Sequence, residues 1–402
     1  MSKPVLGDAL GVYVHLPWCV QKCPYCDFNS HGLKDQRLPE DAYIEALLQD
    51  LQLEANYAQT HGAARPVTSI FFGGGTPSLF SARAIGRIVQ AIDTHCGLDS
   101  AAEITLEANP GAIERGSFAD LRAAGVNRIS LGAQSFDDRA LKSLGRIHQA
   151  SETVDAVHAL RRAGFDNFNL DLMYALPDQS PQQALGDLSQ ALALEPTHVS
   201  HYQLTLEPNT LFHHQPPDLP DDDSAWEMHT RSLQQLAAAG FEQYEVSAYA
   251  RTNLASTHNL NYWRFGDYLG VGAGAHGKLT LGDGRIERTV RPRHPNHYMA
   301  ADFGAQSVRD ARLIAAHELC FEYPLNTLRL KYEALSLATF ERCTGIEGEA
   351  IRGAIQTAVE RGLLRKTTRD CFVKTDLGWR FLNDLQAFFL LPEEKINDLA
   401  AP

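Results

Sequence analysis

Three cysteines near the start of the chain are close enough in sequence to bind one metal centre. Cys19, Cys23 and Cys26 have the spacing C-x3-C-x2-C. Thiolate sulfur is a soft ligand that suits zinc or an iron–sulfur cluster. A structural zinc site is almost always closed by a fourth protein ligand, whereas a cubane cluster with three cysteines keeps one iron open. We therefore predict a [4Fe-4S] cluster with one open iron at this loop.

A zinc site is the alternative interpretation of the same cysteines. His15 or His31 would supply the fourth ligand, or the three cysteines would be unrelated to one another. The tight spacing and the position directly after a predicted strand favour the cluster.

The composition is that of an ordinary intracellular globular protein. The chain has 402 residues, room for two domains, with 44% hydrophobic and 21% charged residues. Its net charge of −13 argues against a nucleic-acid partner. The four scattered cysteines do not form a disulfide framework. No signal peptide or membrane-spanning stretch is evident, so a cytoplasmic location is expected.

Short apolar strands alternate with amphipathic helices up to about residue 247. The expected strands are Gly11–Leu16, Thr68–Phe72, Glu103–Ala108, Arg128–Gly132, Asn167–Leu172 and His198–Thr205. The expected helices are 39–60, 81–95, 117–124, 151–163, 181–193 and 223–239. This order predicts an α/β fold with a parallel sheet, in the form of a partial (β/α)6 TIM-type barrel.

In such barrels, functional side chains gather at the carboxyl ends of the strands. The cysteines follow the first strand, and the run Gly73-Gly-Gly-Thr-Pro77 follows the second. Consecutive glycines let a ligand approach the backbone closely, although an ordinary tight turn explains them equally well. Polar side chains follow the next strands, namely Glu107, Gln134, Arg146 and Asp171.

Together these four polar side chains suit an amino acid joined to a nucleoside. Glu107 and Asp171 offer acceptors for a ribose and an ammonium group, and Arg146 and Gln134 offer donors for a carboxylate. Each residue alone is more often a helix cap or a salt-bridge partner.

These motifs resemble the radical S-adenosylmethionine (SAM) superfamily. In that family the open iron binds the amine and carboxylate of SAM, and one electron from the cluster cleaves SAM to a 5′-deoxyadenosyl radical. The resemblance implies that the three cysteines hold the cluster. It also implies that SAM contacts the following residues: Tyr13, Tyr25, Gly74, Gly75, Thr76, Glu107, Gln134, Arg146 and Asp171.

Within the superfamily, the chain resembles the branch of oxygen-independent coproporphyrinogen III oxidases and the haem chaperones related to them. Two departures weigh against the oxidases: Phe28 stands where they have a further cysteine, and the arm before Cys19 is only 18 residues long. The run His258-Asn-Leu-Asn-Tyr-Trp263 matches the H-N-x-x-Y-W motif of the chaperones.

The resemblance therefore implies a haem chaperone, with coproporphyrinogen III oxidase or another radical reaction on a tetrapyrrole as the alternative. His258 is the expected haem ligand, with His276 as a less supported candidate. A buried histidine beside a core aromatic pair is the alternative for His258. The implied partners are haem, haem-accepting apoproteins that include membrane-bound cytochromes, and an electron donor. The resemblance is also compatible with a homodimer, and with a position at the membrane that the protein would reach through its partners.

Three segments are expected along the chain. Residues 1–250 would form the barrel, 251–300 a linking segment, and 301–402 a smaller, mostly helical domain. The last domain would end in a winged-helix arrangement: a helix at 348–360, a hairpin around Arg369 and Asp370, and a helix at Leu377–Phe389. Acidic residues between its basic ones favour a packing or docking module over DNA binding.

Overall fold

A large sheet organises the molecule. The computed structural model describes residues 7, 9–33, 37–111, 117–304 and 308–390. In chain order its strands are β1 (Leu10–Leu16), β2 (Trp18–Cys19), β3 (His31–Gly32), β4 (Val67–Gly74), β5 (Leu98–Ala108), β6 (Arg128–Gln134), β7 (Phe168–Tyr174), β8 (His198–Gln203), β9 (Glu242–Gln243), β10 (Ala248–Ala250), β11 (Asp267–Val271), β12 (His276–Thr280), β13 (Ile286–Val290), β14 (Asp310–Leu313), β15 (Leu335–Ser336), β16 (Leu364–Thr368) and β17 (Cys371–Lys374).

The main sheet has 12 strands in the order β14-β13-β12-β11-β1-β4-β5-β6-β7-β8-β10-β9. All neighbours from β11 to β8 are parallel, so their carboxyl ends meet at one edge. The six expected strands are all present here, which confirms the predicted α/β order. The sheet stays open, since no pairing among the described strands joins its two ends.

Helices cover the sheet and bury its strands. They are α1 (Glu40–Thr60), α2 (Ala82–Cys96), α3 (Phe118–Ala123), α4 (Asp138–Ser143), α5 (Ala150–Arg162), α6 (Pro181–Ala193), α7 (Leu211–His214), α8 (Asp222–Ala238), α9 (Thr257–Trp263), α10 (Pro295–Met299), α11 (Ala316–Thr327), α12 (Leu337–Thr344), α13 (Glu349–Glu360), α14 (Asp376–Arg380) and α15 (Leu382–Ala387). In α2, Ile85, Ile88 and Ile92 form the buried stripe that the sequence periodicity predicts. Within the described residues, no helix is long and apolar enough to span a membrane.

Residues 251–300, which were expected to link two domains, also contribute to the main sheet. Strand β11 lies parallel to β1, and β12 to β14 extend the same edge as antiparallel strands. The glycine-rich run after Tyr268 hides this strand in the sequence, because glycine has little strand propensity. The sheet thus continues through much of residues 251–300.

A buried ionic network holds α1 against this edge of the sheet. Arg291 is fully buried and pairs with Asp50 at 2.8 Å and with Glu54 at 2.6 Å. Asp50 also accepts hydrogen bonds from the Tyr298 hydroxyl and from the backbone N–H of Gly272. Because Gly272 directly follows β11, the network fixes the carboxyl end of that strand beside β1.

The C-terminal part has its own apolar core. Helices α12 and α13 and the three-stranded sheet β15-β17-β16 form the expected winged-helix arrangement. The last expected helix is divided at Phe381 into α14 and α15. Phe265 and Ile286 of the preceding segment join this core, which anchors the C-terminal part to the main sheet.

Candidate functional site

A cavity of about 340 Å³ lies at the carboxyl ends of the parallel strands. Most of the predicted site residues line it, which are Cys19, Cys23, Tyr25, Cys26, Gly74, Gly75, Thr76, Glu107, Gln134, Arg146 and Asp171. Tyr13 and His258 do not. Residues from five different strand ends therefore meet in one enclosure, at the place where parallel α/β folds carry their ligands.

The three cysteines lie on a loop that is closed at both ends. Strands β2 and β3 pair at its base, with Cys19 opposite Gly32. Inside the loop, the backbone N–H of Cys26 donates to the carbonyl of Cys23 at 3.2 Å. The side chain of Asn29 donates to the carbonyls of Ala273 and Arg293, which ties the loop to the segment after β11.

The three thiols are half-buried and free. Burial raises the pKa of Cys19 and of Cys26, so metal binding would have to displace their protons. No three His, Cys, Asp or Glu side chains in the described ranges are arranged to hold a single metal ion. A cubane needs no such convergence, because each cysteine binds a different iron. The donor set therefore fits a three-cysteine cluster better than a single ion.

The glycine run after β4 packs against the cysteine loop. The backbone N–H of Gly75 donates to the carbonyl of Leu16 at 2.9 Å, and that of Thr76 donates to the carbonyl of Trp18 at 2.8 Å. A Cβ on Gly75 would lie 2.6 Å from the Trp18 carbonyl oxygen. Gly74 has a φ of 116°, and its N–H donates to Glu107. Because these N–H groups are occupied, the backbone from Gly74 to Thr76 has only carbonyl oxygens to offer a ligand.

Two carboxyl groups form one side of the cavity. Glu107 ends β5, and burial together with the neighbouring Asp171 raises the pKa of Glu107 to about 8. Burial also raises the pKa of Asp171, which accepts hydrogen bonds from Ser130 and Asn169. Among the described residues, the groups that donate hydrogen bonds to these two carboxyls are a backbone N–H, a hydroxyl and an amide, which are all neutral. This side of the cavity therefore suits hydroxyl groups or an ammonium group.

A cation lies in the same cavity, next to the cysteines. Arg146 donates to the carbonyl of Gly132 at 2.9 Å and to the side chain of Asn109, and it lies 3.9 Å from the sulfur of Cys23. Its Nε is buried without a hydrogen-bond partner among the described residues. An unpaired buried donor is costly, so this nitrogen is suited to an anionic ligand group.

Asn109 and Tyr202 are among the cavity residues that the sequence analysis missed. Asn109 links Arg146 to Thr76, whose side chain accepts its amide hydrogen at 2.9 Å. Tyr202 donates to Gln134 at 2.9 Å, and Gln134 has a left-handed φ of 64° that is rare outside glycine. Both are polar residues at the end of a strand, so the rule that found Glu107 would also have found them.

Tyr13 and His258 lie in the layer beneath the cavity. The ring of His258 stacks on Phe71 at 5.0 Å, and its Nδ1 lies 3.3 Å from the hydroxyl of Ser69. The ring is buried, which lowers its pKa to about 4 and keeps it neutral. Tyr13 contacts His15 through its hydroxyl at 3.0 Å. The structure thus places His258 in the core and does not bring it to the cavity.

Known proteins resemble this chain over most of its length. A family model of the radical SAM superfamily matches residues 13–190. Heme chaperone HemW of Escherichia coli is 49% identical over 95% of this chain and 98% of its own length. Heme chaperone HemW of Haemophilus influenzae is 45% identical over 96% and 98%.

Among solved structures, coproporphyrinogen III oxidase (HemN) of Escherichia coli, a radical SAM enzyme, has the same fold. It matches with a TM-score of 0.78 at 20% identity, covering 96% of this chain and 90% of that chain. The fold and the sequence match are those of the radical SAM superfamily. Within that superfamily, the chain belongs to the HemW family.

The contact between Gly75 and the cysteine loop can be tested by adding one methyl group. We expect Gly75→Ala to lose about 1–3 kcal/mol of unfolding free energy, because the methyl would overlap backbone atoms that cannot rotate away. Gly186→Ala is the control, since a Cβ there meets nothing within 4 Å. Chemical denaturation and iron content after anaerobic reconstitution measure the effect. Wild-type stability and full iron loading in Gly75→Ala would contradict this account.

The raised pKa of Glu107 predicts a pH-dependent stability. A carboxyl whose folded pKa lies near 8, above its unfolded value of 4.5, binds more protons when folded, so its stabilising contribution falls as pH rises from about 5 to about 8. In the absence of SAM, Glu107→Gln should flatten this fall in unfolding free energy. The exposed Glu242→Gln should not. Identical pH profiles for wild type and Glu107→Gln would show that Glu107 is ionised throughout.

Proposed function

We propose that this chain is a haem chaperone, which binds haem and delivers it to haem-requiring apoproteins. The observation that carries the proposal is the single cavity that joins three cysteines with the strand-end polar residues, in a chain 49% identical to heme chaperone HemW of Escherichia coli. In this proposal Cys19, Cys23 and Cys26 hold a [4Fe-4S] cluster, and the cavity holds SAM beside it.

The cavity has complementary groups for each part of SAM. When bound, the cluster would supply an open iron for the amine and carboxylate and a source of one electron. The carbonyls of Gly74 and Gly75 would accept from the N–H bonds of the amine, and the unpaired Nε of Arg146 would face the carboxylate. Glu107 and Asp171 would accept from the ribose hydroxyls. Tyr25, Thr76 and Gln134 would complete the lining, and Tyr13 would support it from below.

Delivery adds further partners to the proposal. These are apoproteins that accept haem, including membrane-bound cytochromes, and an electron donor for the cluster. The proposal includes no nucleic-acid partner, in line with the net charge of −13. The winged C-terminal part would act as a docking or packing module, and a homodimer is compatible with the fold.

His258 is the proposed axial ligand of haem. Because its ring is buried beneath α9, coordination requires that helix to move away from Phe71. We expect His258→Ala to weaken haemin binding by about tenfold or more and to shift the absorbance band of bound haemin. His61→Ala is the control, since it removes a half-buried histidine whose ring stacks on that of Tyr57 at 3.9 Å. Equal haemin affinity and spectra in His258→Ala and wild type would exclude His258 as the ligand.

A direct assay separates the chaperone from an oxidase. The reconstituted, reduced protein is incubated anaerobically with SAM and coproporphyrinogen III, beside the Escherichia coli oxidase as a positive control. We expect no protoporphyrinogen IX from this chain. We expect instead that haemin-loaded protein transfers haem to an apo-cytochrome, seen as a shift in absorbance. Efficient formation of protoporphyrinogen IX would overturn the chaperone proposal.

A further inference from the structure

A group of aromatic and basic side chains lies where α8 meets the C-terminal part. We name it the α8–α14 patch, and it consists of Trp226, His229, Lys331, Tyr332, Trp379 and Arg380. None of these residues lines the cavity. Trp226 is 51% exposed and Tyr332 is 70% exposed, which is unusual for large aromatic rings without a partner. Leu377 and Phe381 are exposed beside them on the C-terminal side.

The side chains of the patch contact one another across the two parts of the molecule. Trp226 and His229 are three residues apart on α8, and their ring centroids are 5.6 Å apart. The guanidinium of Arg380 lies 5.4 Å from the centre of the Trp226 ring. Lys331 lies 5.6 Å from the Tyr332 ring and 5.7 Å from the Trp379 ring. Flat faces, two cations and an imidazole are therefore adjacent on one surface.

His229 is held in an orientation suited to iron. Its Nδ1 is 3.2 Å from the hydroxyl of Tyr174, and within the described residues its Nε2 makes no hydrogen bond. Iron-ligating histidines are commonly oriented in this way by a hydrogen bond at the other ring nitrogen. Burial and the neighbouring Lys331 lower the pKa of His229, which favours the neutral imidazole that a metal requires.

The charges of the patch are positive and only partly compensated. Arg380 forms no ion pair among the residues that the structure describes. Lys331 donates to the side-chain oxygen of Gln243, and Asp376 is close enough to act on its charge. A ligand with carboxylates at one edge and a flat apolar body would match these groups.

We infer that the α8–α14 patch is a surface docking site for haem, with His229 facing the iron and Arg380 and Lys331 facing the propionates. The inference rests on the proposed function, since it concerns where the cargo of a haem chaperone first binds. Trp226 and Tyr332 of the patch are exposed and its other rings are half-buried, whereas His258 is buried. Trp263 in the H-N-x-x-Y-W motif is half-buried, and Arg329 lies 4.3 Å from the centre of its ring. Trp226 also has a cation over its ring but keeps half of its surface exposed. The patch therefore accepts haem without a rearrangement of α9.

Haemin titration of the full-length protein tests the inference. Two of the four tryptophans belong to the patch, so haemin bound there should quench their fluorescence. We expect His229→Ala to raise the dissociation constant of the haemin that quenches this fluorescence by about tenfold or more, and to shift the haemin absorbance band. Both effects should appear in the otherwise wild-type protein and in the His258→Ala background. Arg380→Glu, at an exposed position, should weaken binding without affecting the fold. His95→Ala, an exposed histidine at the end of α2, is the control and should bind as wild type.

The outcomes distinguish this inference from the proposed function. If His229→Ala and Arg380→Glu bind haemin with wild-type affinity and spectrum, the patch is not a haem site, while the chaperone proposal stands. If His258→Ala loses haemin binding while His229→Ala and Arg380→Glu keep it, the patch is again not a haem site and the chaperone proposal stands. If the wild-type protein fails to bind haemin stoichiometrically, the chaperone proposal falls and the docking site falls with it.

Discussion

The close approach of two backbones is the constraint on which the site depends. The turn after β4 lies directly against the loop that carries the cysteines, and the hydrogen bonds from Gly75 and Thr76 hold the two together. No side chain fits between them, which is why glycine occupies position 75. Backbone hydrogen bonds therefore set the distance from the cysteines to the remaining strand ends. Such a distance varies less than one set by side chains, which can change rotamer.

The cavity joins one cation and two carboxyl groups. Arg146 lies beside Cys23, and Glu107 and Asp171 belong to β5 and β7, the strands on either side of β6. Burial raises the pKa of both carboxyls, so Glu107 favours its protonated form near neutral pH. A ligand with a carboxylate and a polar sugar would pair with the cation and with the carboxyls, whereas a neutral apolar ligand would leave them unpaired.

Haem, the proposed cargo, needs a different site, because the cavity is suited to a smaller polar ligand. His258, the haem ligand that the motif resemblance implies, belongs to α9 and packs against Phe71. Arg329 lies over the ring of Trp263 in the same motif. The α8–α14 patch offers exposed aromatic faces instead. A protein that hands its cargo on gains from an open site, since deep burial would slow release.

Much of the molecule follows from the sequence by itself. Parallel strands buried on both faces leave short apolar runs, and helices with one apolar face leave a periodic pattern, so the six βα units and the strand-end residues from Cys19 to Asp171 could be predicted. Only the tertiary structure revealed strand β11, whose glycines resemble a loop, and the links through Asn109 and Tyr202. It alone also showed that His258 is buried, while Trp226 is exposed and His229 is half-buried. The periodicity of the sequence shows which face of a helix or strand is apolar, but the exposure of a side chain depends on which distant segments cover that face.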